Sequence, residues 1–505
     1  MVSQPSDSAI YVCEEIYWKM ITIQAKKHDN FSVEFKFGFE GNPEVEHSEF
    51  VVNSWIFVPN SLDINPQTYG KDQFYRDIKS NVRMITPVYL LRELADSESL
   101  PFAELRRAFS ELASSPTKSA VENYESEIKM FAAIFKSALR NHSVHTSRCT
   151  AINEVAYLSE NFAEGVRSII NEYRRLYQLI NVPTVDDKMR NYFLFGDEMM
   201  SHIIDVQTLR IVKVIDRLAS PQLAGPRAKL VELMRSEKSY KVAQGYEIVE
   251  PEEMESNRQL VFRYGLLKKY IESDLYIKLD KKRDGFAVEQ IYYSLAAGLA
   301  MIFATGVAWF AQLKYGNITG PLFVVLVVSY MLKDRIKELM RYYLAHRLGN
   351  KYYDNKAEVK VHEQKVGLFK EGVDFISETK APREVMDIRG RSSLMEAENQ
   401  IFEEKIVLYR KRLMLDNKQL AAGSTYPVKG INEILRFHMH RFIQKMDNPE
   451  VPVDTLDGEG NVATVRVQKI YYINIVMQLV EGTQTSYRRF RVVMTRNGIL
   501  SVEVM

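Results

Sequence analysis

The residues best suited to chemistry by type and spacing are His142, His145 and Cys149, in the segment NHSVHTSRC. Two imidazoles and a thiol within eight positions are the soft and borderline donors that grip zinc, with a fourth ligand drawn from elsewhere. The same segment falls between two helical patterns, where His, Ser and Thr are also ordinary solvent-facing residues.

His438 and His440 flank Met439. On a helix they diverge by about 200°, while on a strand they share a face. His362-Glu363 lacks the second histidine of H-E-x-x-H. Asp454, Asp457 and Glu459 in DTLDGEG suggest a calcium loop, but Leu456 stands where a ligand oxygen is needed, so a polar turn is expected. Gly458, Gly460 and Ala463 match a loose dinucleotide pattern, yet they precede a strand-like run where that site requires a helix. The chain contains no phosphate-loop motif and no G-x-S-x-G nucleophile elbow. No cofactor and no catalytic residue follow from the sequence.

Two basic-aromatic patches stand out, Tyr409-Arg410-Lys411-Arg412 and Tyr487-Arg488-Arg489-Phe490-Arg491. Such patches track phosphates and stack bases, or meet anionic headgroups, or are simply solvated surface. With Lys+Arg 67 against Asp+Glu 65, the net charge of +2 does not make nucleic acid the expected partner.

The elements that must carry these residues include a discontinuity. Ile291 to Ala311 is free of charge, and so is Tyr315 to Leu332. At roughly 1.5 Å per residue these runs reach about 32 and 27 Å, against a hydrocarbon core of about 30 Å. Gln312, Leu313 and Lys314 separate them, and Gly316, Asn317, Thr319 and Gly320 supply turn residues. A two-helix transmembrane hairpin over 286–332 is therefore expected, with the lipid bilayer as a partner. Lys278, Lys281, Lys282 and Arg283 precede it, and Lys333, Arg335, Lys337, Arg341 and Arg347 follow. Basic flanks stay cytoplasmic, which places both termini there, at the inner membrane in a bacterium. Two cysteines, Cys13 and Cys149, suit a reducing compartment. The start MVSQPSDSAIYV has neither the basic opening nor the apolar run of a secretory signal.

Within the first run, Ala296, Ala300, Ala304 and Ala308 recur every four residues, with Gly298 and Gly306 on another face. Small residues let helices approach closely in lipid, serving either the partner span or self-association. After the second run an amphipathic helix is expected to Leu348. Its Lys333, Lys337 and Arg341 form a line suited to lipid headgroups.

The rest reads as α+β. Residues 1–70 are β-rich: Val33, Phe35, Phe37 and Phe39 alternate with polar residues. Residues 71–285 read as a helical bundle with coiled-coil-like seams. Val121, Tyr124, Ile128, Phe131, Phe135 and Ala138 form one seam. Ile152, Val155, Ser159, Phe162, Val166, Ile169 and Tyr173 form another, after a loop spanning about Arg140 to Cys149. A third helix is expected over Asp186 to Leu218. Residues 333–505 carry the basic helix and then an α+β domain. There Ile431 to Met446 reads as helical, Val462 to Val480 as strand, and Asn497-Gly498 as a hairpin turn with both residues at positive φ.

The expected function is a membrane-anchored cytoplasmic scaffold, sensor or assembly protein, joined to a partner or to further copies of itself through the bundle. A membrane-tethered enzyme of unrecognised type and an oligomeric pore-former are the alternatives.

Overall fold

The structure is a computed structural model that describes residues 21–42, 44–316, 319–349, 352–361 and 364–505, with the side chains of 344–349 set aside. The fold is mixed, 53% helical and 26% strand, an α+β protein. Two compact units divide it. One comprises residues 83–277 with 426–428, and the other comprises the remaining described residues.

The first of these is helical. Its long helices are α1 (Leu100–Ser114), α2 (Lys118–Arg148), α3 (Ile152–Arg175), α4 (Asp187–Leu218), α5 (Ala224–Gln244) and α6 (Met254–Ile271). Local chemistry sets their ends. The Thr117 hydroxyl accepts from the Ala120 amide at 3.3 Å, and the Asp186 carboxylate from the Met189 amide at 3.0 Å, each satisfying an orphan donor. The seams fill the core: Tyr124, Ile128, Phe131 and Phe135 of α2, and Phe162, Val166, Ile169 and Tyr173 of α3, are buried. Ser159 is buried among them because its hydroxyl donates to the Val155 carbonyl at 2.6 Å. Tyr173 stacks between Phe131 and Phe193, at 5.6 and 4.7 Å between ring centroids. Gly196 permits this, since a Cβ there would stand 2.6 Å from the Tyr173 hydroxyl and 2.7 Å from Ile128.

The expected loop over Arg140 to Cys149 is instead the end of α2, and only Cys149–Ala151 turn the chain. The polar residues that suggested a loop are satisfied within the bundle. The Ser143 hydroxyl donates to Gln207 of α4 at 2.6 Å, and that of Thr146 to the His142 carbonyl of its own helix at 3.0 Å.

The second unit is built on antiparallel sheets. Its strands are β1 (Ile21–Lys27), β2 (Ser32–Glu40), β3 (His47–Val58), β4 (Ile78–Met84), β5 (Asn355–Val361), β6 (Gln364–Ile376), β7 (Lys405–Asp416), β8 (Gly430–His438), β9 (Glu450–Leu456), β10 (Val462–Gln468), β11 (Tyr471–Glu481), β12 (Gln484–Thr495) and β13 (Gly498–Val504). One sheet runs β1-β2-β8-β4. The larger sheet runs β13-β12-β11-β3-β7-β6-β5, closed at one edge by the two-residue strand Lys282–Arg283. The N-terminal strands thus share sheets with the C-terminal ones: Ile56 pairs with Ile475 and Ser54 with Tyr409. The serial scheme of a separate 1–70 segment and a separate C-terminal domain differs from this grouping. Strand patterning shows which face is buried, but not which distant strand covers an edge.

Three local expectations also differ. Ile431 to Met446 begins as strand β8, because Ile431, Glu433, Leu435 and Phe437 are the buried set, a period of two. Glu433 hid that period by being charged. Val462 to Val480 is two strands, β10 and β11, broken at Lys469–Ile470. At Asn497-Gly498 only Gly498 has positive φ, at 136°, and a β-bulge between Val493 and Met494 absorbs the remaining geometry.

From this unit project α7 (Phe286–Tyr315) and α8 (Gly320–Gly349), which fold back on each other. Helix α7 is long and apolar enough to cross a membrane, and only 17% of its apolar window is buried. The second expected span is shorter than its sequence suggested. Tyr315 belongs to α7, and α8 starts at Gly320, which leaves Gly320–Leu332 as its uncharged length before Lys333.

Candidate functional site

A polar cavity lies at the foot of α7. It encloses about 460 Å³ and is lined by residues 71, 72 and 75, 283–285 and 289, and 352–355. The short helix Lys71–Asp77 supplies one wall. Its start is fixed by Gln73, whose side chain accepts from the Gly70 amide at 3.1 Å. Lys71 Nζ donates to Asp354 at 2.8 Å and Asp374 at 3.0 Å, and the Tyr75 hydroxyl donates to Asp354 at 2.9 Å. Burial works against the Lys71 charge, but the two carboxylates outweigh it and raise its pKa. Burial, then the Asp354 carboxylate, push the Tyr75 phenol far above its ordinary range, so it remains a donor. Asp284 faces Lys370 at 3.1 Å and Lys356 at 3.6 Å. Gly285 has φ +73°, and a Cβ there would meet the Tyr352 ring at 2.9 Å, so the turn into α7 needs glycine.

This arrangement can hold a polar ligand by hydrogen bonds and tyrosine rings. Asp284, Glu289 and Asp354 each face a cation, so none of these three is arranged as a general base.

A second cluster lies inside the helical unit. Arg174 donates to Asp197 at 2.9 Å and forms two bonds to Glu237, at 3.0 and 2.9 Å. Its guanidinium lies 3.4 Å from the Tyr240 ring centroid. Tyr240 and Tyr246 both donate to Asp197, each at 2.9 Å. Ser201 donates to Glu237 at 2.6 Å. Glu198 is bound by Arg263 at 2.5 and 2.6 Å, and Lys241 pairs with Asp205. His202 stands beside Ser201 in sequence, but its Nε2 is buried without a hydrogen bond. Burial first, then Lys241 and Arg263, lower its pKa to about 4. The serine proton is therefore directed to an Arg-bound carboxylate and not to an imidazole, which is the geometry of a structural lock and not of an activated nucleophile. The sequence signal was available, since Asp197, Glu198, Ser201 and His202 interrupt the apolar pattern of α4, but the partners come from other helices.

In the sheet unit a buried pair plays the same part. Lys411 Nζ donates to Glu433 at 2.6 Å, as does the Ser80 hydroxyl. Burial lowers the Lys411 pKa, with Glu433 opposing.

The zinc-like trio separates. His142 is half-buried and turned inward, its Nε2 2.8 Å from the Leu158 carbonyl and its ring against Phe162. His145 and Cys149 remain together and are joined by Glu154. His438 Nδ1 lies 3.1 Å from the Ser32 hydroxyl, while His440 Nε2 faces Gln444. Asp457 caps its own turn, accepting from the Glu459 and Asn461 amides, each at 2.9 Å. His362 and Glu363 lie outside the described residues, as do Cys13, the start MVSQPSDSAIYV and Asn317. The basic-aromatic patches are strand segments whose alternate members point inward. Tyr409, Lys411 and Phe490 are buried, while Arg410 pairs with Asp374, Arg412 with Glu49 and Arg491 with Glu503.

On α7, Ala296 and Ala300 are buried, Ala304 and Ala308 partly so, and the Ala304 carbonyl accepts from Ser329 of α8 at 3.4 Å. Gly298 and Gly306 are exposed, and a Cβ at either position would meet nothing within 4 Å. The Arg341 guanidinium lies 5.2 Å from the Tyr293 ring. The Ser329–Ala304 and Arg341–Tyr293 contacts set the same register, in which Lys333 stands level with about residue 301. Charged residues of α8 therefore accompany the first half of the uncharged stretch of α7.

No protein-family model matches this chain, and no curated protein matches it. Among solved structures, a de novo designed 16-helix transmembrane nanopore aligns with 51% of this chain and 92% of its own, at 12% identity and a TM-score of 0.17. A likeness at that TM-score carries no argument about fold or function.

Proposed function

We propose that this protein is a membrane-anchored scaffold or assembly protein whose α7–α8 hairpin holds both folded units at the cytoplasmic face. The observation that carries the reading is how the hairpin is tied at its base. Lys282 pairs with Lys356 and Arg283 with Asn355, so the strands that lead into α7 and out of α8 are adjacent. An apolar excursion that leaves and returns through one β-ladder begins and ends on one side of a membrane.

Depth follows from the register. The apolar band shared by both helices is the turn-proximal part, about thirteen residues of each, or roughly 20 Å. A hydrocarbon core of about 30 Å would draw in roughly seven more residues of α8, among them Lys333, Asp334, Arg335, Lys337 and Glu338, at up to about 3 kcal/mol each. Thinning the bilayer by about 10 Å costs fractions of a kcal/mol per Å, and is the smaller penalty. The hairpin accordingly crosses with its turn-side half. Lys333, Lys337 and Arg341 then meet the cytoplasmic headgroups, and Trp309, Lys314 and Tyr315 reach the far interface.

For partners, α6 exposes Met254, Val261 and Phe262 on one side. An apolar stripe of this kind supports association through the helical unit, with another copy or another protein.

The test uses the tied base. Asp284 N lies 3.2 Å from the Asp354 carbonyl, so residues 286–351 can be replaced by a short Gly-Ser linker. The expected result is a folded protein that leaves the membrane fraction under alkaline carbonate, while the full chain remains. A hairpin-less protein that still pellets with membranes overturns the anchor.

A further inference from the structure

We propose that the α2–α3 corner is a divalent transition-metal site, of the zinc class, ligated by His145, Cys149 and Glu154. The ligand atoms of these three residues all lie within 4.8 Å of one another. They reach that spacing for local reasons. His145 and Cys149 are four residues apart, so they share one side of the closing turn of α2. Cys149 is the C-cap, where the backbone leaves the helix at φ −69° and ψ 138°. Glu154 lies in the first turn of α3, and the tight turn between the helices brings its carboxylate back over the thiol.

The donor set is one sulfur, one imidazole nitrogen and one carboxylate oxygen. Zinc takes this mixture at about 2.0–2.3 Å per ligand, and three protein ligands leave a fourth position for water or an incoming group. Hard cations such as magnesium or calcium disfavour thiolate and imidazole, so they are the wrong class for this corner. His145 and Glu154 are exposed and Cys149 half-buried, so the ion can enter without unfolding the bundle. His142 stands outside the cluster, its ring packed against Phe162 and its Nε2 facing the Leu158 carbonyl.

In the metal-free protein the Cys149 thiol donates to the His145 carbonyl at 3.3 Å. Metal binding transfers that thiol proton to solvent as the sulfur–metal bond forms, and apparent affinity rises with pH. The ion would also bridge the end of α2 to the start of α3, which makes it a clamp on that corner.

The test is cobalt(II) and zinc titration of the full-length protein in mild detergent, in a Cys13→Ser background that removes the other thiol. The expected result is one cobalt ion per chain with a thiolate-to-cobalt charge-transfer band. The band disappears in Cys149→Ser, affinity falls at least tenfold in His145→Ala and in Glu154→Gln, and His142→Ala binds as before. Zinc should also protect Cys149 from alkylation, and a chelator should restore labelling, which gives a readout that needs no ligand variant. Absence of stoichiometric binding, a band that survives Cys149→Ser, or dependence on His142 in place of Glu154 overturns the site.

Discussion

Hairpin depth is the expectation most directly open to measurement. The uncharged part of α8 is Gly320–Leu332, about 20 Å of helix, because Lys333, Asp334 and Arg335 follow at once. Replacing those three with leucine extends the uncharged stretch through Ile336, to about 26 Å. The bilayer thickness that the hairpin matches should then rise by about 6 Å. The assay is reconstitution into phosphatidylcholine vesicles of graded acyl length. A single cysteine placed at Gly316, with Cys13 and Cys149 replaced by serine, reports whether the turn reaches the far aqueous side. The wild-type hairpin should label from that side best in the thinnest bilayers and progressively less as thickness grows. The triple-leucine variant should carry that optimum to longer chains. Identical thickness dependence in both proteins would refute the register argument, since α8 would not be setting the depth. Labelling of Gly316→Cys only from the side of the folded units would refute the crossing itself.

The remaining predictions concern the two folded units. Lys411→Met leaves Glu433 buried without its cation and should lower stability by about 3–5 kcal/mol, whereas the double variant Lys411→Met/Glu433→Leu should recover most of it, read by urea unfolding. Gly196→Ala forces a Cβ against Tyr173 and Ile128, and should cost about 1–3 kcal/mol by overpacking, read as a lower Tm. His202 has a folded pKa of about 4 against an ordinary 6.5, so the unfolded chain binds the extra proton between those values. Its contribution is present above pH 6.5 and is lost as pH falls toward 4, up to roughly 3 kcal/mol. A His202→Gln variant should show a shallower loss of stability over that window, and an NMR titration placing His202 near 6.5 would contradict the burial argument.

Much of the helical architecture was legible because a seam repeats locally. The buried side chains from Tyr124 to Phe135, and from Val155 to Tyr173, follow the sequence periodicity. The end of α2 was not legible, since His, Ser and Thr read as loop residues until Ser143 is seen to bond Gln207 of α4 and Thr146 the His142 carbonyl. Strand β8 was hidden by Glu433, a charge at a core position made tolerable by Lys411, 22 residues upstream on β7, and by the Ser80 hydroxyl. The metal candidate was half legible. His145 and Cys149 are neighbours in sequence and in space, but the third donor depended on which way His142 faced and on where α3 began.

By itself, the sequence determined the presence of an apolar excursion between charged regions, the helical seams and the alternation of the first strands. These are short-range patterns, in which each residue's environment repeats within a turn or two of chain. The tertiary structure decided the grouping of N- and C-terminal strands into shared sheets, the tied base of the hairpin and the level at which Lys333 stands beside α7. It also decided the partners of Asp197, Glu237 and Glu433. Those depend on groups brought together from distant positions, where a buried charge is stable only beside its counter-charge and a strand edge only beside another strand.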